Sequence, residues 1–147
     1  MKDRVLVGFI SGILAAIGAD IVNWLLYYLN YADRKFLDWA AVIFFGHLPT
    51  NVLEVVVMQI AQIVWDGLMG IVFILILPTI KSHGIVLKGI IYAISLMFLF
   101  RATTVLFDVP YLKSLSIGTF LSNALCSIVW GVLIALIIKR FSVSTYQ

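Results

Sequence analysis

Three residues that ionise at neutral pH, Asp20, Asp66 and Arg101, stand inside long runs of apolar residues. A buried carboxyl group can bind or relay a cation or a proton, and a buried arginine can neutralise one such group. Because one arginine neutralises only one aspartate, the second carboxyl group must be protonated, bind a cation or meet water. These residue types therefore indicate either an ion-binding site or a structural ion pair.

The elements that position these residues are four apolar segments, each long enough to cross a bilayer as a helix. A span requires about 20 apolar residues, and the segments cover about 5–30, 52–77, 85–107 and 117–138. Hydrophobic residues make up 63% of the 147 residues and charged residues 12%, whereas soluble domains carry about 25% charged residues. We therefore expect an all-α integral membrane protein, with residues 1–147 forming a single membrane domain.

A shorter apolar segment, at about 36–48, lies between the first two spans. Because it is too short to cross the bilayer, we expect a short helix that lies in the membrane interface or dips into it. The four spans then form two hairpins in a bundle.

The orientation of the spans follows from their flanking lysines and arginines. Six of these residues lie on the side that holds both termini and the loop between the second and third spans, and three lie on the opposite side. Positively charged loops stay on the cytoplasmic side. This asymmetry predicts a multi-pass protein of the cell inner (cytoplasmic) membrane with both termini in the cytoplasm.

The three ionisable residues fall at similar depths when the rise per residue is about 1.5 Å. Asp20 and Arg101 are the closest in depth, so we expect them to form an ion pair. Gln59, Gln62 and Asp66 repeat at helical spacing, and other spans carry further polar residues. Polar stripes of this kind face the interior of a bundle. The predicted buried polar network comprises Asp20, Asn23, Gln59, Gln62, Asp66, Arg101 and Asn123.

Small residues recur at spacings that allow close helix packing. Glycine permits two helix backbones to approach each other within a membrane. The expected packing positions are Gly8, Gly12, Gly67, Gly70, Gly89 and Gly131. Residues 5–10 also resemble residues 86–91, and residues 63–67 resemble 128–131, which suggests an internal repeat; the alternative is chance similarity among apolar segments.

The hairpin pattern resembles a group of small four-span bacterial membrane proteins. The features that carry the resemblance are Gly8, Gly12, Trp65-Asp66-Gly67 and Trp130-Gly131, together with the interfacial insertion after the first helix. The resemblance implies a membrane fold and no assigned activity, so it assigns no functional residues.

No catalytic motif is present in the sequence. It contains no Gly-rich phosphate loop, no Cys-x-x-Cys and no His-Glu-x-x-His, and Cys126 is the only cysteine. We expect no enzymatic activity, no cofactor, no metal site and no nucleic-acid partner. Two hypotheses remain. The first is a transport-type protein, expected to form a homo-oligomer, that moves an ion, a proton or a small polar solute. The alternative is a non-transporting scaffold or accessory subunit of a membrane protein complex.

Overall fold

A computed structural model describes residues 3–79 and 84–143. The described chain is helical and contains no strand. Its helices are α1 (Arg4–Tyr28), α2 (Phe36–Phe45), α3 (Val52–Ile76), α4 (Ile85–Leu106) and α5 (Ile117–Val143), with a 3₁₀ turn at Leu77–Thr79 after α3. Four of them, α1, α3, α4 and α5, are long and apolar enough to cross a membrane. The prediction of an all-helical protein with four such helices is confirmed.

The helix ends follow local sequence signals. The Asp3 side chain accepts a hydrogen bond from the backbone N–H of Val5 at the start of α1 (2.9 Å), and Asn51 accepts one from Glu54 at the start of α3 (2.9 Å). Such side chains satisfy amide groups that have no partner in the first turn of a helix. At the other end of α2, Gly46 adopts a φ of 75°, a conformation that glycine reaches without steric cost.

Glycines bring α1 against α3 and α4 against α5. A Cβ atom on Gly12 would lie 2.9 Å from the Cα of Gly67, and one on Gly8 would lie 2.8 Å from the carbonyl oxygen of Gly70. In the second pair, a Cβ atom on Gly131 would lie 3.0 Å from the Cβ of Ala93. In each pair the backbones are therefore so close that a larger side chain would collide with the opposite helix.

The helices α1 and α5 form the centre of the molecule. α1 packs along both α3 and α5, whereas α4 packs along α5. The buried core between them is built from small α1 residues, Ala15, Ala16 and Ala19, and from larger α5 residues such as Ile134. The order of packed helices is thus α3, α1, α5, α4. The more specific arrangement as two membrane hairpins remains a prediction.

The helices α3 and α4, at the two ends of this order, meet through large side chains. The Tyr92 hydroxyl of α4 donates a hydrogen bond to the Met69 carbonyl oxygen of α3 (2.9 Å). The rings of Trp65 and Phe100 make an edge contact with centroids 5.9 Å apart. Because long side chains hold these helices apart, a space remains between them.

The short helix α2 covers the first half of α3. Leu37 and Ala41 pack against Met58, whereas Phe44 is 70% exposed. The Asp38 carboxylate accepts a hydrogen bond from the backbone N–H of Lys35 (2.7 Å). Burial raises the pKa of Asp38, and this hydrogen bond opposes the rise. The position of α2 at a membrane interface remains a prediction.

Candidate cation-binding site

A chain of hydrogen-bonded side chains links α1 to α3. It begins at Trp24, whose indole Nε1 donates to Gln59 Oε1 (2.8 Å). Gln59 Nε2 in turn donates to Asp20 Oδ2 (2.7 Å) and to Gln62 Oε1 (2.7 Å). Gln62 Nε2 then donates to Asp66 Oδ2. Two carboxyl groups on different helices are therefore connected by two amides.

The direction of this chain is fixed by chemistry. An indole nitrogen can only donate a hydrogen bond, so Gln59 must turn its carbonyl oxygen toward Trp24 and its NH₂ group toward Asp20. Because Gln62 Oε1 accepts a hydrogen bond from Gln59, the NH₂ group of Gln62 is turned toward Asp66. Both carboxyl groups therefore receive amide donors, which stabilise a negatively charged carboxylate more than a neutral acid.

The chain descends from one end of the helices toward the middle. At about 1.5 Å per residue, Trp24 lies roughly 6 Å from the end of α1 that neighbours α2. On α3, Gln59 lies roughly 10 Å from the first residue of the helix, Val52, and Asp66 lies roughly 21 Å from it. A further 15 Å or so of helix follows Asp66 before Ile76. Asp66 is thus near the centre of its span, at the inner end of the polar chain.

The carboxyl group of Asp66 borders a cavity between α3, α4 and α5. The cavity has a volume of about 510 Å³ and lies beneath α2. Asp66 Oδ2 is bonded to Gln62, whereas Oδ1 accepts no hydrogen bond from the described part of the chain. One carboxylate oxygen is therefore held by the amide chain and the other is available to a ligand.

The walls of the cavity are mostly apolar and rich in aromatic rings. Seven aromatic residues from four helices contribute to them: Phe36, Trp39, Phe44, Trp65, Phe100, Phe120 and Trp130. Gln62, Arg101, Asn123 and Ser127 add a few polar groups. A cavity of this size, with apolar walls and few polar groups, is typical of small-molecule binding sites.

Three buried polar atoms on residues that line this cavity have no hydrogen-bond partner within residues 3–79 and 84–143. They are Asn123 Oδ1, Trp39 Nε1 and Trp130 Nε1. Asn123 is 5% exposed and Trp130 is 6% exposed. A buried polar group without a hydrogen bond costs about 1–3 kcal/mol. These atoms lie behind the cavity surface, so their desolvation cost is not offset by a contact with a molecule inside the cavity.

The predicted ion pair between Asp20 and Arg101 does not form. Arg101 Nη1 donates to the Leu112 carbonyl oxygen (2.7 Å) and Nη2 to that of Lys113 (2.7 Å). The reason is the helix order: α1 and α4 each pack along α5, so Asp20 and Arg101 stand on helices that are not neighbours. Arg101 is five residues from the end of α4, roughly 7.5 Å, so its long side chain reaches the loop that follows. Within the described chain, the ion pair found in the structure joins Lys113 and Asp108.

The remaining residues of the predicted network serve other contacts. Asn23 Oδ1 accepts a hydrogen bond from the backbone N–H of Phe36 (2.9 Å), and its Nδ2 donates to Ser122 Oγ (3.4 Å). Asn23 thus joins α1 to α2 and α5, outside the acid–amide chain. Asp20 and Gln59 line a shallow groove on a different face of α3 from the cavity.

Sequence reasoning missed the cavity, the role of Trp24 at the start of the hydrogen-bonded chain, and Trp130 in the cavity wall. Trp24 lies four residues after Asp20, a spacing that places both on one helix face and could have marked it as a partner. Nothing in the sequence indicated that Trp130 has an unpartnered N–H. Among the described residues, no group of three metal-ligating side chains comes together.

No protein-family model matches this chain, and no curated protein or solved structure matches it significantly.

Proposed function

We propose that this chain is a transport-type protein of the inner membrane that binds a cation or a proton at Asp66. The observation that carries the proposal is the unpaired carboxylate oxygen of Asp66, which borders a cavity near the centre of a membrane span. In this proposal the spans form two hairpins, both termini are cytoplasmic, and α2 lies at the outer interface.

The energetic argument concerns a carboxyl group without a cationic partner. An ionisable side chain at the centre of a bilayer costs about 2.5–3.5 kcal/mol on insertion scales. In the structure, Arg101 donates to loop carbonyl groups and leaves Asp66 unpaired. Such an acid is stable in lipid when it carries a proton or holds a bound cation. Exchange of that proton or cation is the elementary step of coupled transport.

The two halves of the spans differ in their side chains, and this difference supports a binding site that is reached from one side of the membrane. Between Trp24 and Asp66, hydrogen-bonding side chains are available along the α2 half of the protein. In the other half, the Tyr92 ring lies between Phe73 and Trp130, at centroid distances of 5.1 and 6.1 Å. With α2 outside, the site is approached from the outer half and closed toward the cytoplasm by these aromatic rings.

The experiment is a flux assay in proteoliposomes. We expect Asp66→Asn to abolish proton- or cation-coupled flux, because asparagine keeps the shape and the hydrogen-bonding capacity but cannot exchange a proton or balance a charge. The matched control is Asp108→Asn, the same chemical change at a loop carboxylate that pairs with Lys113. Flux from the wild type that persists unchanged in Asp66→Asn would contradict the proposal.

The alternative function is that of a non-transporting scaffold or accessory subunit of a membrane protein complex. It is favoured by α4, whose buried residues are Gly89, Ala93 and Thr104 while Phe98 and Leu99 are at least 60% exposed. A partner helix could cover this surface. This function predicts no flux from any variant and a stable complex after cross-linking of cysteines placed on α4.

A further inference from the structure

We infer that the cavity between α3, α4 and α5 binds a lipophilic organic cation, with its charge beside Asp66 and its apolar body against the aromatic walls. The inference rests on the proposed function in that it uses the same carboxyl group, and it adds the substrate class. Neither a bare proton nor a hydrated inorganic ion would require about 510 Å³ of mostly apolar space.

The positive charge of the ligand follows from the electrostatics of the walls. Asp66 offers a carboxylate oxygen that accepts no hydrogen bond from the described chain, and Trp65 and Trp130 line the same cavity. Aromatic faces attract organic cations, and the attraction grows when the cation leaves water. The nearest opposing charge in the cavity wall is Arg101, roughly 13 Å closer to the outer end by residue count and hydrogen-bonded to two carbonyl groups.

The lipophilic body of the ligand follows from the route into the cavity. The outer end lies under α2 and beside the charge of Arg101, and the inner end is closed by Tyr92, which bonds to the Met69 carbonyl oxygen. The side between α3 and α4 is where helix packing is weakest, because these helices meet through long side chains. In a membrane that side faces lipid, so an entering molecule must dissolve in the bilayer.

The test compares two probes of equal size and opposite charge. Binding of tetraphenylphosphonium and of tetraphenylborate to the purified full chain is measured by equilibrium dialysis in a neutral detergent, with empty micelles as the blank. We expect the cation to bind at least about tenfold more tightly than the anion, a difference that corresponds to 1.4 kcal/mol. Equal binding of the two probes, or no binding of the cation, would overturn the inference. This comparison needs only the wild-type chain.

Two variants locate the bound cation. Asp66→Asn should reduce the affinity for tetraphenylphosphonium about tenfold or more, and Asp108→Asn should leave it unchanged. Ser127→Phe, which fills the cavity without altering the carboxyl group, should block the probe. Cation binding that survives both Asp66→Asn and Ser127→Phe would place the ligand elsewhere and overturn the inference.

The outcome is separable from that of the proposed function. Inorganic-cation or proton flux that depends on Asp66, without binding of tetraphenylphosphonium, would retain the transport proposal and overturn this inference. Charge-selective binding of the probe with no flux of any cation would support the site described here and contradict transport.

Discussion

The helix pairs α1–α3 and α4–α5 are held together in the same way but carry different polar groups. Both use small residues for close backbone contact, Gly12 against Gly67 in the first pair and Ala93 against Gly131 in the second. The first pair also contains the acid–amide chain from Trp24 to Asp66. In the second pair, Arg101 bonds to the loop that follows α4, and Asn123 Oδ1 accepts no hydrogen bond from the part of the chain that the structure describes.

This difference distinguishes the residues that stabilise the helix pairs from those that are not needed for their stability. Close packing of small residues needs no polar atoms, and it works equally well in a pair without charged groups. The carboxyl groups of the first pair add desolvation cost and contribute little that packing does not already provide. Helix packing therefore does not account for their presence on one pair alone, whereas the proposed binding role of Asp66 does.

The largest effect is expected from larger side chains at the two glycine contacts. Gly12→Val and Gly131→Val should each lower the free energy of unfolding by about 3 kcal/mol, because a Cβ atom at either position already meets the opposite helix. The measurement is an unfolding titration with dodecyl sulfate in mixed micelles. Gly46→Ala is the control, because it has no neighbour within 4 Å and tests only backbone strain. A large loss in one pair and none in the other would show that the two contacts are not equivalent.

A smaller effect is expected from breaking the amide chain. Gln59→Leu should lower the free energy of unfolding by about 2 kcal/mol, because it leaves Trp24 Nε1 without an acceptor and removes the donor to Asp20. In a Trp24→Phe background the same substitution should cost about 1 kcal/mol less, since the orphaned indole is then absent. The double-mutant cycle is measured by the same titration. Strict additivity of the two changes would mean that this hydrogen bond contributes nothing.

Sequence patterns predicted the helices and the polar stripe on α3 because both depend on local spacing. Gln59, Gln62 and Asp66 recur with helical periodicity, so their shared face follows from their positions. Which residue on another helix completes the chain depends on register and tilt. These are set by contacts such as Gly12 against Gly67, and no local pattern reports them.

The error over Arg101 has a physical cause. Counting residues along each span compares only depth, and it does not report that α5 separates α1 from α4. Arg101 also lies five residues before the end of α4 at Leu106. A long arginine side chain at such a position extends toward the polar end of the helix. In the structure it reaches the carbonyl groups of Leu112 and Lys113. The cavity was missed for a related reason, since it arises from the separation of α3 and α4.

The smallest effect is expected at Asn123. Its substitution tests whether this polar side chain stabilises the α4–α5 pair. Its Oδ1 is buried and accepts no hydrogen bond from the described chain, so Asn123→Leu removes a desolvation cost and breaks no bond at that atom. We expect the free energy of unfolding to change by less than about 0.5 kcal/mol or to rise, as for other positions without a structural partner. The matched change on the other pair, Gln62→Leu, removes the donor to Asp66 and should cost about 2 kcal/mol. If Asn123→Leu destabilised the protein as strongly as Gln62→Leu, Asn123 would have a structural partner, and the contrast between the two helix pairs would fail.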